Sequence, residues 1–141
     1  MLLNKSLYGY IIHIIVSFIV GDLCSYSFHR LLHYPYFYHY HKIHHQYIVP
    51  HTLVGVYCHP FEMALNYISI LIPLTITSSY NDLTLIVEVC VVAMGILLSH
   101  RADVNLLFDF GAKMHNIHHQ EMNYNYGFSG IYDWVFSTLK L

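Results

Sequence analysis

Charge is what this chain has least of. Six Lys and Arg and eight Asp and Glu make up 10% of its 141 residues, against roughly 25% in soluble globular domains. The formal balance is −2, so no basic field exists to hold a nucleic-acid backbone, and nucleic acid is excluded as a partner. Cysteine is sparse as well. Cys24, Cys58 and Cys90 are odd in number, far apart and without a CxxC pair, which removes a disulfide framework and a thiolate zinc site and points to a reducing compartment. With four Pro, seven Gly and no Ser/Gly-rich linker or charge block, no domain boundary shows, and 1–141 reads as one domain. A length of 141 residues leaves room for one core and none for a second, cofactor-reducing module.

What is abundant is apolar. Hydrophobic residues make up 56% of the chain and mean hydropathy is +0.45. Residues 6–28 are apolar except for His13 and Asp22, long enough for a helix that crosses a hydrocarbon core. A cleavable signal peptide is the competing reading, but no small-x-small site follows the run. Residues 63–80 carry no charge, with Pro73 mid-run, and residues 83–99 form a third run interrupted by Glu88. Asn81 and Asp82 predict the turn between them. The expected fold class is all-α: an integral membrane protein of about three transmembrane helices under a histidine-rich helical cap, residues 29–60 and 100–141. One crossing followed by a hairpin puts both cap segments on the same face. Arg30, Lys42, Arg101, Lys113 and Lys140 share that face and Lys5 lies opposite, so the positive-inside rule makes it cytoplasmic.

Histidine is the second excess, at 13 residues. Three clusters are regularly spaced: His29 and His33 in HRLLH, His41, His44 and His45 in HKIHH, and His115, His118 and His119 in HNIHH. On a helix, positions i, i+3 and i+4 share a face, so each cluster can aim its imidazoles at a common point, as a metal requires. Eight imidazoles exceed what one four-coordinate zinc can use and predict two ions close together. Spacing does not choose among Fe, Zn, Cu and Ni. With no acidic cluster nearby, redox chemistry on a lipid suits such a centre better than hydrolysis.

These motifs, with Pro50, the CHPFE segment containing His59 and Glu62, and the closing HNIHHQEMNYNYG followed by Asp133 and Thr138, resemble the membrane-bound fatty acid hydroxylase and sterol desaturase superfamily. Within it the chain looks most like C-4 methylsterol oxidases. The resemblance covers residues 22–138. It implies an endoplasmic-reticulum enzyme with a non-haem centre of two Fe ions, Zn being able to occupy the isolated protein. Such an enzyme uses O₂ to hydroxylate or desaturate a C–H bond of a membrane lipid, sterol or acyl. Electrons come from a separate partner, a cytochrome b5-type carrier fed by NAD(P)H. It also implies the ligand set His29, His33, His41, His44, His45, His115, His118 and His119, with His100 in the place of the family's isolated ligand and His59 a weaker candidate. The closing segment Asn125, Tyr126, Gly127 and Asp133 is expected to pin the C-terminus over the site.

The chain departs from the family pattern at Asn116, where HDxHH is usual, and at Arg101 and Ala102. The alternative to an enzyme is a catalytically inactive relative or a metal-binding membrane scaffold. His39 and His51 read as surface imidazoles or hydrogen-bond partners. His13, sixteen residues and about 24 Å of helix before His29, reads as structural, and Glu88 as a bundle-facing structural or channel residue. Asp22 reads equally as a ligand support or an interfacial acid. Trp134 and Phe136 read as packing or interfacial anchors, and the aromatic run 34–40 as interfacial. A homodimer is compatible with the sequence, though no small-xxx-small seam argues for one.

Overall fold

The computed structural model describes residues 7–77, 82–101 and 110–141, apart from the side chains of residues 82 and 83. Lys5, Asn81 and Ala102 lie outside them. The described residues form helices and no strands. The six α-helices are α1 (Leu7–Leu32), α2 (Tyr38–His41), α3 (Pro60–Thr77), α4 (Asp82–Ser99), α5 (Phe110–Glu121) and α6 (Ile131–Val135), with 3-10 turns at His44–Gln46 and Thr52–Val56.

The first apolar run continues further than its hydropathy predicts. α1 has 26 residues, about 39 Å of helix, and carries His29 within its last turn. It stops shortly before Pro35, whose ring disfavours helical geometry in the preceding residue. α3 opens on Pro60, a residue suited to the first helical position because its missing N–H has no helical partner there. The Nδ1 of His59 accepts the next free amide, from Phe61, at 3.1 Å.

Three contacts fix the helix directions. His13 near the start of α1 touches Thr77 at the end of α3, Gly21 lies against Pro73 and Ser69, and His41, beyond the end of α1, meets Glu62 at the start of α3. α1 and α3 are therefore antiparallel. His13 also meets Glu88 in the first half of α4, so α4 runs alongside α1, and the C-terminus of α1, the N-terminus of α3 and the C-terminus of α4 meet at one end.

The outer surface is apolar and much of the interior is polar. Ile11, Ile14, Ile15 and Phe18 on α1, Leu71 and Ile76 on α3, and Ile86, Val91 and Met94 on α4 are exposed, while buried positions are held mostly by His, Asp, Glu, Asn, Ser and Thr. A water-facing surface of that kind would associate; against lipid it is the expected outside. α1 and α3 are each long and apolar enough to cross a membrane, and α4 is apolar but shorter over Thr84–Ser99.

Candidate metal centre

All nine histidines implied as ligands converge at the shared helix end, in two groups. The first holds His29, His33, His41, His45 and His118; the second holds His44, His100, His115 and His119. Within each group the ligand nitrogens lie within 4.8 Å of one another. The groups abut, with the His45 and His119 ring centroids 4.6 Å apart and His41 stacked on His44 at 5.3 Å.

The partition departs from the expectation that each cluster serves one point. In both HxxHH motifs the i and i+4 imidazoles go to one group and the i+3 imidazole to the other. His41 and His45 join the first group while His44 turns to the second; His115 and His119 join the second while His118 turns to the first. On α5 the reason is rotation: adjacent residues of an α-helix point about 100° apart, so the His118–His119 doublet straddles two centres where the i, i+4 pair stays in register; HKIHH, running from the end of α2 into a 3-10 turn, divides the same way.

The imidazoles present bare lone pairs to one another. The Nδ1 atoms of His29, His100, His118 and His119 lie 2.7, 2.7, 2.7 and 3.0 Å from the backbone carbonyls of Tyr126, Ile96, Tyr124 and Tyr47. A carbonyl can only accept, so each Nδ1 carries the proton and each Nε2 is unprotonated. Those Nε2 atoms converge with their neighbours: His29 on His41 at 3.1 Å, His118 on His33 and His45 at 3.1 Å each, His100 on His44 at 3.2 Å and on His115 at 2.8 Å, and His119 on His115 at 3.0 Å. Hydrogen bonds among the rings cannot satisfy that many acceptors. A cation can: two nitrogens about 2.1 Å from one ion and at right angles lie about 3.0 Å apart. The donor set therefore fits two transition-metal ions, one per group.

Electrostatics keep the rings neutral. Burial, followed by repulsion from neighbouring imidazoles, lowers His33 to about 2 and lowers His41, His44, His45, His115 and His118 well below the usual imidazole range. Burial likewise lowers His100 and His119 to about 4, partly offset by their bonds to carbonyls. Neutral imidazole is the metal-binding form.

The surrounding residues hold these rings in place. Glu62 Oε1 lies 3.0 Å from His41 Nδ1, behind a candidate ligand but out of hydrogen-bond alignment with it. Glu62 stands in the CHPFE motif, where spacing alone assigns it no role. Asp22 supports no ligand directly; it accepts the amides of Phe128 and Ser129 at 2.9 and 3.1 Å and so ties the closing loop to α1. Asp133 accepts the amides of Tyr126 and Gly127 and the Thr138 hydroxyl. The Asn125 amide group bonds the carbonyls of Met114 and Lys140. The expected closing segment thus lies over the site, and through the Tyr126 carbonyl it holds His29.

Gly55, in the Thr52–Val56 turn, packs against the end of α4. A Cβ there would fall 2.6 Å from Ile96 Cγ2 and 2.8 Å from His100 Nδ1. Gly55→Ala is expected to cost about 1–3 kcal/mol through overpacking and to lower metal occupancy of the second group. Thermal unfolding in detergent and elemental analysis of the purified variant check both effects.

The remaining histidines lie outside both groups. His39 packs on Tyr40 and His51 on Tyr47, and both are exposed. His59 caps α3 as described. Asn116 makes no hydrogen bond to an imidazole among the described residues; its amide donates to the Arg101 carbonyl at 3.4 Å, beside His100. Phe136 stacks on Tyr26, centroids 5.3 Å apart, and Trp134 is exposed.

Two cavities adjoin. One of about 430 Å³ lies between α1, α3 and α4, lined by side chains such as His13, Phe18, Pro73, Val87, Glu88 and Phe128. A smaller one of about 100 Å³ is lined by His29, His41, His44, His100 and His115. Ser25, Asn66, Ile96 and Phe128 line both, so an apolar chamber among the spans leads to the imidazoles.

The family model described as fatty acid hydroxylase matches residues 14–138. The chain belongs to the fatty acid hydroxylase family. Among relatives of this family, fatty acid hydroxylase domain-containing protein 2 of Homo sapiens is 28% identical over 136 residues, covering 94% of this chain and 40% of that protein. A fatty acid hydroxylase of Mycosarcoma maydis is 32% identical over 129 residues, 89% of this chain and 33% of that one. The C-4 methylsterol oxidase of Schizosaccharomyces pombe is 31% identical over 141 residues, 90% of this chain and 46% of that one. The chain therefore spans less than half the length of these relatives. No solved structure matches it.

Proposed function

We propose that the chain is a membrane-bound non-haem di-iron oxidoreductase that hydroxylates or desaturates a lipid C–H bond, sterol or fatty acyl, using O₂. The observation that carries this reading is the convergence of nine neutral imidazoles, in groups of five and four, at the end of an apolar chamber. His29, His33, His41, His45 and His118 hold one iron, and His44, His100, His115 and His119 the other. Bound iron supplies the activation of O₂ that an unactivated C–H bond requires. The protein supplies the rest: backbone carbonyls at Nδ1 fix the tautomers of His29, His100, His118 and His119 so that Nε2 faces the ion, Glu62 stands behind His41, and the chamber wall keeps the lipid dry and its reacting carbon near the imidazoles.

Electrons arrive from a separate carrier of cytochrome b5 type, docking on the histidine-rich face, which is cytoplasmic in an endoplasmic-reticulum membrane. Metal-to-protein stoichiometry after anaerobic iron loading tests the reading, combined with O₂- and reductant-dependent oxidation of a panel of sterols and acyl lipids. Two irons per chain, about one for each group, with an oxidised product are expected. Bound metal without turnover on any lipid identifies a metal-binding scaffold instead.

A further inference from the structure

At the end of the large cavity remote from the imidazoles sits a buried polar pair unused by the site. His13 Nε2 lies 2.9 Å from Glu88 Oε1. We assign the Thr77 hydroxyl proton to the Pro73 carbonyl at 2.9 Å, which makes His13 Nδ1 the donor to Thr77, also at 2.9 Å. That leaves one proton between His13 and Glu88, and the pair is electrically neutral overall whichever residue holds it. His13 is 5% exposed, and both residues line the cavity.

The other acid on the wall, Asp22, has both oxygens occupied by Phe128, Ser129 and the Ser129 hydroxyl. Glu88 Oε2 is thus the one carboxylate oxygen on that wall with no protein partner among the described residues. An unpaired oxygen in an apolar chamber is costly unless a guest donates to it.

The geometry points to the His13–Glu88 pair as the reader of the substrate's polar end, selecting an uncharged lipid with a terminal hydroxyl and seating it with that hydroxyl on Glu88. A hydroxyl donates to the free oxygen. A carboxylate has no proton to give and would lie against Glu88, and an ammonium would leave a net charge buried beside an already neutral pair. Glu88 precedes His100 by twelve residues on a helix, about 18 Å. A molecule held this way presents its opposite end to the imidazoles, so oxidation falls far along the skeleton and not next to the hydroxyl. This inference rests on the reading of the site as a lipid oxidase.

Equilibrium binding to the detergent-purified full chain tests it, with radiolabelled octadecanol, cholesterol, octadecanoate and octadecylamine as probes. At least one alcohol should bind about tenfold more tightly than either charged lipid, the worth of one hydrogen bond to a charged group, and the tighter of the two tells a linear from a ring skeleton. Glu88→Leu should erase that preference by weakening the alcohol. Glu88→Gln, nearly isosteric, should narrow it by admitting octadecanoate, and gives the answer if the Leu variant does not fold. His118→Ala should keep the preference whatever its metal content.

Equal binding of alcohol and acid by wild type overturns the proposal, as does a preference unmoved in a folded Glu88 variant, even if lipid oxidation proceeds. An alcohol preference that requires Glu88 in a chain that turns over nothing upholds the binding site and overturns the oxidase reading alone.

Discussion

His118→Ala is expected to abolish the proposed lipid oxidation and to lower metal occupancy of the first imidazole group. The ring is fully buried, its Nε2 meets both His33 and His45 at 3.1 Å, and its Nδ1 is locked by the Tyr124 carbonyl at 2.7 Å. No neighbouring side chain can reach that position. Losing a hydrogen-bond partner behind a ligand typically costs roughly 10–100-fold in metal affinity or activity, so losing the ligand should cost well over that in kcat/KM. His44→Ala should do the same through the second group. His51→Ala is the matched control: it removes an imidazole outside both groups and should leave iron content and rate unchanged. Iron per chain and product formation, measured on the same preparations, check these outcomes. Full activity in a folded His118→Ala protein would remove the dinuclear assignment.

Asp133→Ala should cause the largest loss of stability without touching a candidate ligand. The carboxylate is fully buried and accepts the Tyr126 amide at 2.8 Å, the Gly127 amide at 2.7 Å and the Thr138 hydroxyl at 2.8 Å. Alanine leaves two backbone donors without a partner in a loop where the chain has none to spare, a cost of roughly 3–5 kcal/mol. Gly127 is needed beside that carboxylate, because a Cβ there would sit 2.8 Å from Asp133 Oδ2. Tyr126 supplies the carbonyl that fixes His29, so occupancy of the first group should fall with stability. Asp133→Asn keeps one acceptor oxygen and should lie between the two. Thermal unfolding in detergent measures the order; an alanine variant as stable as wild type would refute this account of the closing loop.

The imidazoles were legible because ligand chemistry is local. HRLLH and two HxxHH motifs carry their meaning in side-chain type and short spacing, and all nine residues named from them and from the resemblance meet in the structure. The apolar runs were legible for the same reason, and α3 and α4 appear where hydropathy placed them, shifted by a few residues. Other features lay beyond local reading. The division of each HxxHH motif depends on two centres lying side by side, which spacing alone does not reveal. The carbonyls of Tyr47, Tyr124 and Tyr126 act through backbone that every residue possesses. Asp22 and His13 looked like isolated polar residues in a span because their partners, at Phe128, Ser129, Thr77 and Glu88, are brought close only by helix packing.

The interleaving of the two imidazole groups also sets an order in time. Neither group can be completed by one stretch of chain. His118 must reach back to His33 across 85 residues, and His44 waits for His100, 56 residues later. Synthesis proceeds from the N-terminus, so His29 to His45 emerge long before α5 exists, and contacts of such separation form late. Until then the early imidazoles form an incomplete, accessible set open to whichever ion the surroundings offer. On the proposed reading, the choice of metal would belong to the interval between synthesis of α1 and arrival of α5. Once the closing loop is fastened to Asp22, exchange requires the chain to reopen.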